Sequence, residues 1–559
     1  MKLRGVITRA LHDADVIVRK STATVLHEIA ELVFDRRAVP WLVLMCERAM
    51  TDPEPQLRSA AMTLTWHLAE HLPNAFLGDA SQGSRSIRRL PDRSDPVFAD
   101  VYLLQCKLLP VATRLAEDRA PSVRLAVAAQ CDRLCNALGD HWSNVIIDVL
   151  LALLSDSDER VRSEAVLCVP RLAESVLMPS STKQNMDVSV LESLLPAALS
   201  LQKDKDSSVR VSLATSAGEL LTLIVGLQSL EEMSAGGESE NQHTKTAAIL
   251  KKHVDDLLIP LVQGLLHDKD PEVTSSALRA VTNASRGTVR EMRSRHMSMA
   301  SEDDSVSVSS HMSTSTREKK EPVFLPVLSE DQVLRLLPTL SELGKSKQWR
   351  VRQSAVEIVP ALLGCTRNMD TRNEIAQLCI ALMADSVDAV RRTAAECLCL
   401  GGGSLGSHGE ALGAEWITSI VIPHIRNCAK HPNAKQRLLS LKMIEVVLLN
   451  GACPSKWRGD EEGERLADSP MRELAVIALS LAKDKVPNVR LNVGRVLESV
   501  IHVFEEDALG FVREVLMQQL AAEKERPGGG DRDVLFFATR CIQKARMILE
   551  ASSGAGEVI

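Results

Sequence analysis

The sequence predicts an all-α fold, an α-α superhelix (solenoid) of about eleven stacked helical hairpins. One observation is a proline that recurs 14 residues before the second residue of a Val-Arg-like dipeptide, in five places. A second is that apolar residues spaced by three and four flank a polar turn in each unit, which indicates paired amphipathic helices. The five pairs are Pro110 and Arg124, Pro196 and Arg210, Pro260 and Thr274, Pro338 and Arg352, and Pro423 and Arg437.

The unit around Pro196 illustrates the predicted hairpin. Leucines at helical spacing surround this proline, and we expect the first helix to bend there because proline removes a backbone donor. After a polar turn, an apolar stripe from Val209 to Ile224 predicts the second helix. The period of about 40 residues is typical of HEAT and armadillo repeats. Prolines suited to the first position of a second helix stand at Pro55, Pro121, Pro271 and Pro487.

The dipeptide marks each unit along the chain. Arginine forms good ion pairs at interfaces, so we expect most of these arginines to join neighbouring repeats through carboxylates and carbonyls. The series is Val18-Arg19, Leu57-Arg58, Val123-Arg124, Val161-Arg162, Val209-Arg210, Val273-Thr274, Val351-Arg352, Val390-Arg391, Gln436-Arg437 and Val489-Arg490, with a weaker unit at Asp533-Val534.

Composition excludes several classes of partner. A net charge of −7 and an aromatic content of 3% argue against nucleic-acid binding, which needs cationic grooves and stacking rings. A run of 18 apolar residues is missing, so we expect no membrane partner. The twelve cysteines lack zinc-finger spacing, which predicts reduced thiols, a cytoplasmic or nuclear location and no cofactor.

The spacing of the units predicts the domain organisation. N-terminal HEAT repeats occupy 1–285, with inserts near 77–96 and 231–246, and C-terminal repeats occupy 327–550 before a tail at 551–559. Between them, the segment 286–326 is rich in serine and poor in apolar residues, so we expect disorder.

Two serines of this segment are candidate phosphorylation sites. Ser298 follows two arginines, and Ser301 precedes three acidic residues. An unregulated solvated loop is an equally good interpretation of the same composition.

Short motifs that resemble catalytic sites occur in the wrong context. The H-x-x-E-H pattern from His67 to His71 continues a helical apolar stripe and lacks a third ligand. The G-x-S-x-G pattern from Gly402 to Gly406 needs a preceding strand, and it follows a helical pattern instead. We therefore predict no catalytic or metal site and no enzyme activity, with a metalloprotease or hydrolase as the enzymatic alternative.

The C-terminal half resembles a known family. Residues 333–363, VLRLLPTLSELGKSKQWRVRQSAVEIVPALL, are similar to a late repeat of the scaffolding A subunit of protein phosphatase 2A. The next three units match the family in order, and the resemblance covers about residues 255–550. A regulatory subunit of protein phosphatase 4 is a related possibility. The resemblance implies a non-catalytic phosphatase scaffold whose partners are a catalytic subunit and a regulatory, substrate-selecting subunit.

In that family the turns within the late repeats hold the catalytic subunit. Trp349 and Arg350 match the docking ridge, whereas Asp388 stands at a position that is aromatic in the family. The docking residues that the resemblance implies are Trp349, Arg350, Asp388, Asn433, Lys435, Pro487 and Asn488.

Two other functions stay open. A HEAT-type nuclear transport adaptor is the first, and a tubulin-binding array is the second. Lys203, Lys205, Lys483 and Lys485 would suit acidic tails, but they alternate with aspartates. We therefore interpret these turns as solvated and of mixed sign.

Overall fold

The computed structural model describes residues 2–32, 39–70, 102–138, 143–177, 188–234, 240–285, 328–401, 410–450, 470–504, 506–526 and 530–554. The chain divides into two compact units, whose main parts are Met1–Ala284 and Pro322–Ile559. Throughout these described ranges the regular structure is helical and pairs into antiparallel hairpins. We number the hairpins as repeats 1 to 11 and name the two helices of each repeat A and B.

The first unit contains repeats 1 to 6. Helix A of repeat 3 and of repeat 6 consists of consecutive segments, as does helix B of repeat 3. In order, the A and B helices are Lys2–Leu11 and Val16–Leu32; Val39–Met50 and Pro55–Glu70; Leu104–Leu108 with Leu109–Ala116, and Pro121–Ala128 with Cys131–Leu138; Ser143–Leu154 and Glu159–Leu177; Ser189–Ser200 and Ser207–Ser234; Glu240–His253 with Val254–Leu258 and Ile259–Leu266, and Pro271–Ser285.

The second unit contains repeats 7 to 11. Their A and B helices are Glu330–Leu343, and Trp349–Glu357 with Val359–Gly364; Met369–Leu382 and Asp388–Leu400; Glu410–Trp416 with Ile417–Val421 and Ile422–Ala429, and Ala434–Leu449; Pro470–Ser480 and Pro487–Val500; Glu506–Lys524 and Arg532–Gly554. The predicted all-α HEAT-repeat solenoid of about eleven hairpins is therefore confirmed.

Prolines mark the helix boundaries as predicted. Pro55, Pro121, Pro271 and Pro487 are each the first residue of a helix B. The amide at that position has no acceptor within the helix, so its absence costs nothing, and the fixed φ of proline suits the helix.

The prolines inside helix A have a different effect. Before Pro110, Pro260 and Pro423 the helix forms a five-residue π-helical segment that ends two residues before the proline. Pro196 and Pro338 instead lie within regular α-helices. The sequence predicted a bend at Pro196, where no π-helical segment forms. At Pro110, Pro260 and Pro423 the local change is a wider turn, which is one way to accommodate the missing donor.

The longest helix forms part of the core of the first unit. Ser207–Gln228 has the length and apolar composition of a membrane span, but most of its residues are buried against the neighbouring helices. Gly218 lies so close to Ala280 that an added Cβ would be 2.6 Å from the Ala280 Cβ, so this crossing needs glycine. The insert predicted at 231–246 is largely helical, because one helix ends at Ser234 and the next begins at Glu240.

Candidate protein-docking ridge

A series of arginines joins the turn of one repeat to the turn of the next. Arg124 shows the pattern: its Nε and Nη2 donate to the carboxylate of Asp156 at 2.5 and 2.8 Å, and its Nη1 donates to the carbonyl of Asp118 in its own turn. We call this series the arginine ladder. Its ion pairs are Arg19–Asp52, Arg58–Asp118, Arg124–Asp156, Arg162–Asp204, Arg210–Asp268, Arg352–Asp385, Arg437–Asp484 and Arg490–Glu523.

Each ladder aspartate is used three times. The carboxylate of Asp484 accepts from Arg437 and also from the backbone N–H of Val486, while its carbonyl accepts from Arg490. Burial opposes ionisation of Asp484, but the hydrogen bonds from Arg437 and Val486 outweigh it and hold its pKa below the ordinary value of 3.8. The structural role predicted for these arginines is confirmed.

Acidification should weaken the ladder. Its carboxylates all have a lowered pKa in the folded protein, so the unfolded chain binds more protons in acid. This stabilisation is complete above the ordinary carboxyl pKa and disappears as the pH falls through the folded values. The carboxylates are Asp52, Asp118, Asp156, Asp204, Asp268, Asp385, Asp484 and Glu523.

Urea denaturation at several pH values measures this effect. The free energy of unfolding should fall steadily below about pH 5. Asp484→Asn combined with Arg437→Gln removes one ladder pair, so that variant should lose less stability on acidification. A free energy of unfolding that stays constant down to about pH 3 would contradict the role of the carboxylates.

The ladder is interrupted at repeat 9. His431 replaces the aspartate: its Nδ1 accepts the N–H of Asn433 at 3.0 Å, and its carbonyl accepts from Arg437. Arg391, the donor from repeat 8, instead binds Asp388 in its own turn at 2.7 Å. The other oxygen of Asp388 pairs with Arg392 at 2.7 Å. Asp388, predicted as a docking residue, is thus an ion-pair acceptor for two arginines.

The turns of repeats 7 to 10 form a continuous row in the second unit. Arg352 links the first two turns through Asp385, and Arg437 links the last two through Asp484. Between them, Nε2 of Gln436 donates to the carbonyl of Met383 at 2.8 Å. We call this row, residues 345–351, 384–390, 430–436 and 483–489, the unit 2 ridge.

All seven predicted docking residues lie on the unit 2 ridge with exposed side chains. Trp349 begins helix B of repeat 7, is 39% exposed, and lies 5.5 Å from the guanidinium carbon of Arg350. The side chain of Asn433 accepts the N–H of Lys435 and so caps helix B of repeat 9. The remaining residues occupy the equivalent starts of helix B in repeats 8 and 10. Their role in docking remains a prediction.

The sequence motifs that resemble catalytic sites lie only in part within the described residues. His67 is buried and stacks on Trp66 with ring centres 3.8 Å apart. His71, the Gly402–Gly406 segment, Ser298 and Ser301 lie outside the described residues. Across the ranges that the structure describes, histidine, cysteine and carboxylate side chains form no group able to hold a metal ion.

Most cysteine thiols in the described ranges are buried. Of the eleven cysteines in the described ranges, ten are buried. Burial raises the pKa of Cys46 to about 12 and that of Cys428 to about 11. A thiol with such a pKa is protonated near neutral pH and is a poor nucleophile.

A buried arginine of repeat 8, which no pattern in the sequence indicated, contacts repeats 7 and 9. Arg372 is fully buried and donates to the carbonyls of Leu363 and Gly401, at the ends of two B helices. Its guanidinium lies 4.9 Å from the ring centre of Trp416, whose Nε1 donates to the carbonyl of Leu398. Burial lowers the pKa of Arg372 to about 10, so it remains charged near neutral pH, where a cation favours helix C-termini.

Comparisons with known proteins agree with this fold. The family described as sister chromatid cohesion protein PDS5 matches residues 114–252. The eIF-2-alpha kinase activator GCN1 of Saccharomyces cerevisiae is 24% identical over 255 residues, which cover 43% of this chain and 9% of GCN1.

Solved structures with similar folds include importin beta and the karyopherin Kap121p. The importin beta structure has a TM-score of 0.56 at 13% identity and covers 98% of this chain and 57% of its own. Kap121p, bound to the extreme C-terminus of the protein phosphatase Cdc14p, has a TM-score of 0.60 at 10% identity and covers 97% and 46%. These similarities show the fold alone. The chain spans about half the length of these two proteins and a small part of GCN1.

The repeats, the arginine ladder and the comparisons together define a HEAT-repeat helical protein. The similar proteins are described as a sister chromatid cohesion protein, a kinase activator, an importin and a karyopherin.

Proposed function

We propose that this chain is a non-catalytic adaptor that binds a partner protein along the unit 2 ridge. The observation that carries the proposal is that Trp349 and Arg350 are exposed on a row of turns. The Arg352–Asp385 ion pair of the arginine ladder joins their turn to the next one. Tryptophan and arginine are enriched among the residues that dominate binding energy at protein interfaces. An adaptor of this kind raises the effective concentration of one bound protein beside another.

Two kinds of adaptor are consistent with this ridge. A transport-type adaptor is supported by the similarity of the fold to importin beta and to the karyopherin Kap121p. A phosphatase scaffold, with a catalytic and a substrate-selecting subunit as partners, is supported by the resemblance of residues 333–363 to the late repeats of that family. Either function suits a cytoplasmic or nuclear location.

Substituting both exposed residues tests the docking surface. Trp349→Ala with Arg350→Glu should reduce recovery of the bound partner at least about tenfold in affinity purification, because hot-spot residues each contribute about 2 kcal/mol. Quantitative mass spectrometry of the co-purified proteins measures the recovery. Circular dichroism should show unchanged helicity, since both side chains lie on the surface.

Leu334→Ala is the matched control for this experiment. Leu334 lies in helix A of the same repeat and is 38% exposed, close to the exposure of Trp349. A Ran-like GTPase with cargo among the lost proteins would identify a transport adaptor, and a phosphatase catalytic subunit would identify a scaffold. Equal recovery from the double variant and from Leu334→Ala would refute docking at the ridge.

A further inference from the structure

The ridges of the two units carry opposite charge. The equivalent turns of repeats 1 to 6, residues 12–18, 51–57, 117–123, 155–161, 203–209 and 267–273, form the unit 1 ridge. Apart from the carboxylates held by ladder arginines, the unit 1 ridge has five cationic and eight anionic side chains. On the same basis the unit 2 ridge has seven cationic side chains and a single anionic one. The seven are Lys345, Lys347, Arg350, Lys430, Lys435, Lys483 and Lys485.

The arginine ladder removes the negative charges that seemed to balance these lysines. In the sequence, Asp484 stands between Lys483 and Lys485, which suggested a solvated turn of mixed sign. In the structure, the Asp484 carboxylate is only 6% exposed and is held by Arg437 from the preceding repeat. Asp385 is likewise held by Arg352, with the same exposure. The turn of repeat 10 is solvated, as its exposed lysines show, but its aspartate is already paired and does not offset their charge.

The one remaining anion on the unit 2 ridge is also neutralised. Asp388 forms ion pairs with Arg391 and with the exposed Arg392. Arg391 binds Asp388 because the next repeat has His431, which offers no carboxylate, at the ladder position. The seven cationic side chains are all exposed. Within the described part of the chain, none of the seven forms an ion pair with a carboxylate.

The helix termini add to the positive potential of this ridge. Helix B of repeats 7, 8 and 10 begins at the ridge, and the residues before these helices, Gln348, Val387 and Val486, form no side-chain cap. The N-terminus of a helix carries a partial positive charge that favours nearby anions.

We infer that the unit 2 ridge binds an acidic polypeptide segment of a partner protein. This inference rests on the proposed docking function and adds the chemistry of the partner. Neighbouring packed helices are about 8–10 Å apart, and an extended peptide advances about 3.3 Å per residue. An acidic residue at every third position would therefore meet successive turns, and an apolar residue beside them would pack on Trp349.

A nucleic acid fits this ridge less well than an acidic peptide. Trp349 is the sole aromatic residue on the unit 2 ridge, whereas single-stranded nucleic acid binding uses several stacking rings. The net charge of −7 also opposes a long polyanion outside the ridge. A short peptide avoids this repulsion because it covers the four turns alone.

Direct binding of a labelled peptide tests the inference. The probe is a fluorescein-labelled peptide of about 12 residues with glutamate at every third position, long enough to span the four turns. Fluorescence anisotropy should detect binding by the full chain that weakens as salt is added, and a glutamine version of the peptide should not bind. Lys347→Glu with Lys483→Glu and Lys485→Glu should raise the Kd at least about tenfold, because like charges would then face the peptide.

The unit 1 ridge supplies the matched control. Lys203→Glu with Lys205→Glu and Lys269→Glu makes the same charge change on that ridge and should leave the Kd within about twofold of the parent value. An equal rise in Kd for both triple variants would overturn the inference, since the attraction would then reflect overall charge. Tighter binding of a DNA or RNA strand than of the peptide would also overturn it.

The two experiments distinguish a failure of the acidic-peptide inference from a failure of the docking proposal. If the peptide does not bind but Trp349→Ala with Arg350→Glu still abolishes capture of a partner, the acidic chemistry is wrong and the ridge remains the docking surface. If the peptide binds but that double variant keeps its partner, the charge-based site stands and the partner docks elsewhere.

Discussion

Replacing Arg490 with alanine should lower the free energy of unfolding by about 3 kcal/mol, the largest loss expected from a single ladder position. Arg490 and Glu523 form the most buried ladder pair, with side chains 3% and 2% exposed and both contacts at 2.8 Å. Without the guanidinium, the Glu523 carboxylate remains buried with fewer partners. We place the loss at the lower end of the usual range because Arg526 and the N–H of Asp531 still contact Glu523.

Arg391→Ala is the control for this prediction. Arg391 has the same position in repeat 8 as Arg490 has in repeat 10, but its carboxylate partner is the half-exposed Asp388 of its own turn. Its loss should cost about 1 kcal/mol, comparable to an ordinary hydrogen bond. Urea denaturation followed by circular dichroism measures both variants. Equal losses would show that the pairing between repeats adds nothing, and a joint change of Arg490 and Glu523 to methionine should recover most of the stability.

Replacing Trp416 with alanine should lower the free energy of unfolding by about 4 kcal/mol. Trp416 is fully buried in the second unit, and its ring packs against the guanidinium of Arg372. The substitution would leave a cavity and would remove the aromatic ring that contacts the buried guanidinium of Arg372. It would also leave the carbonyl of Leu398 without the indole donor.

Trp416→Phe separates the ring from its polar group. Phenylalanine keeps an aromatic face beside Arg372 but cannot donate to Leu398, so we expect a loss of about 1–2 kcal/mol. Hydrogen exchange at the end of helix B of repeat 8 should quicken more in the alanine variant than in the phenylalanine variant. Identical stability of the two variants would show that the aromatic ring does not support Arg372.

Local features of the sequence were sufficient to predict most of the fold. Pro55 and Pro487 begin helices because the proline ring itself favours that position, whatever surrounds it. The hairpins follow from apolar spacing within each unit, and the arginines were correctly expected to join neighbours. The wider helical turns before Pro110, Pro260 and Pro423 were not predicted. Pro196 has the same sequence position but lies in a regular helix, so the position of the proline alone does not indicate where a wider turn forms.

The charge of the ridge could not be predicted from neighbouring residues. Asp484 is adjacent to two lysines in the sequence, yet its partner is Arg437, 47 residues away. The role of Arg372 depends on carbonyls at the ends of two other helices, and no periodic pattern signals such a contact. Both properties depend on how separate repeats pack against one another. The sequence of a single repeat does not contain that information.

The ladder also bears on how such a chain can change in length over evolution. Each of repeats 2 to 5 carries one carboxylate that accepts from the preceding repeat and one arginine that donates to the following repeat. Duplication or loss of a gene segment that encodes one of these repeats would leave every donor with an acceptor. Repeat 9 lacks this interchangeability on the side of repeat 8, because the His431 side chain offers no carboxylate to Arg391, whereas Arg437 still pairs with Asp484 of repeat 10.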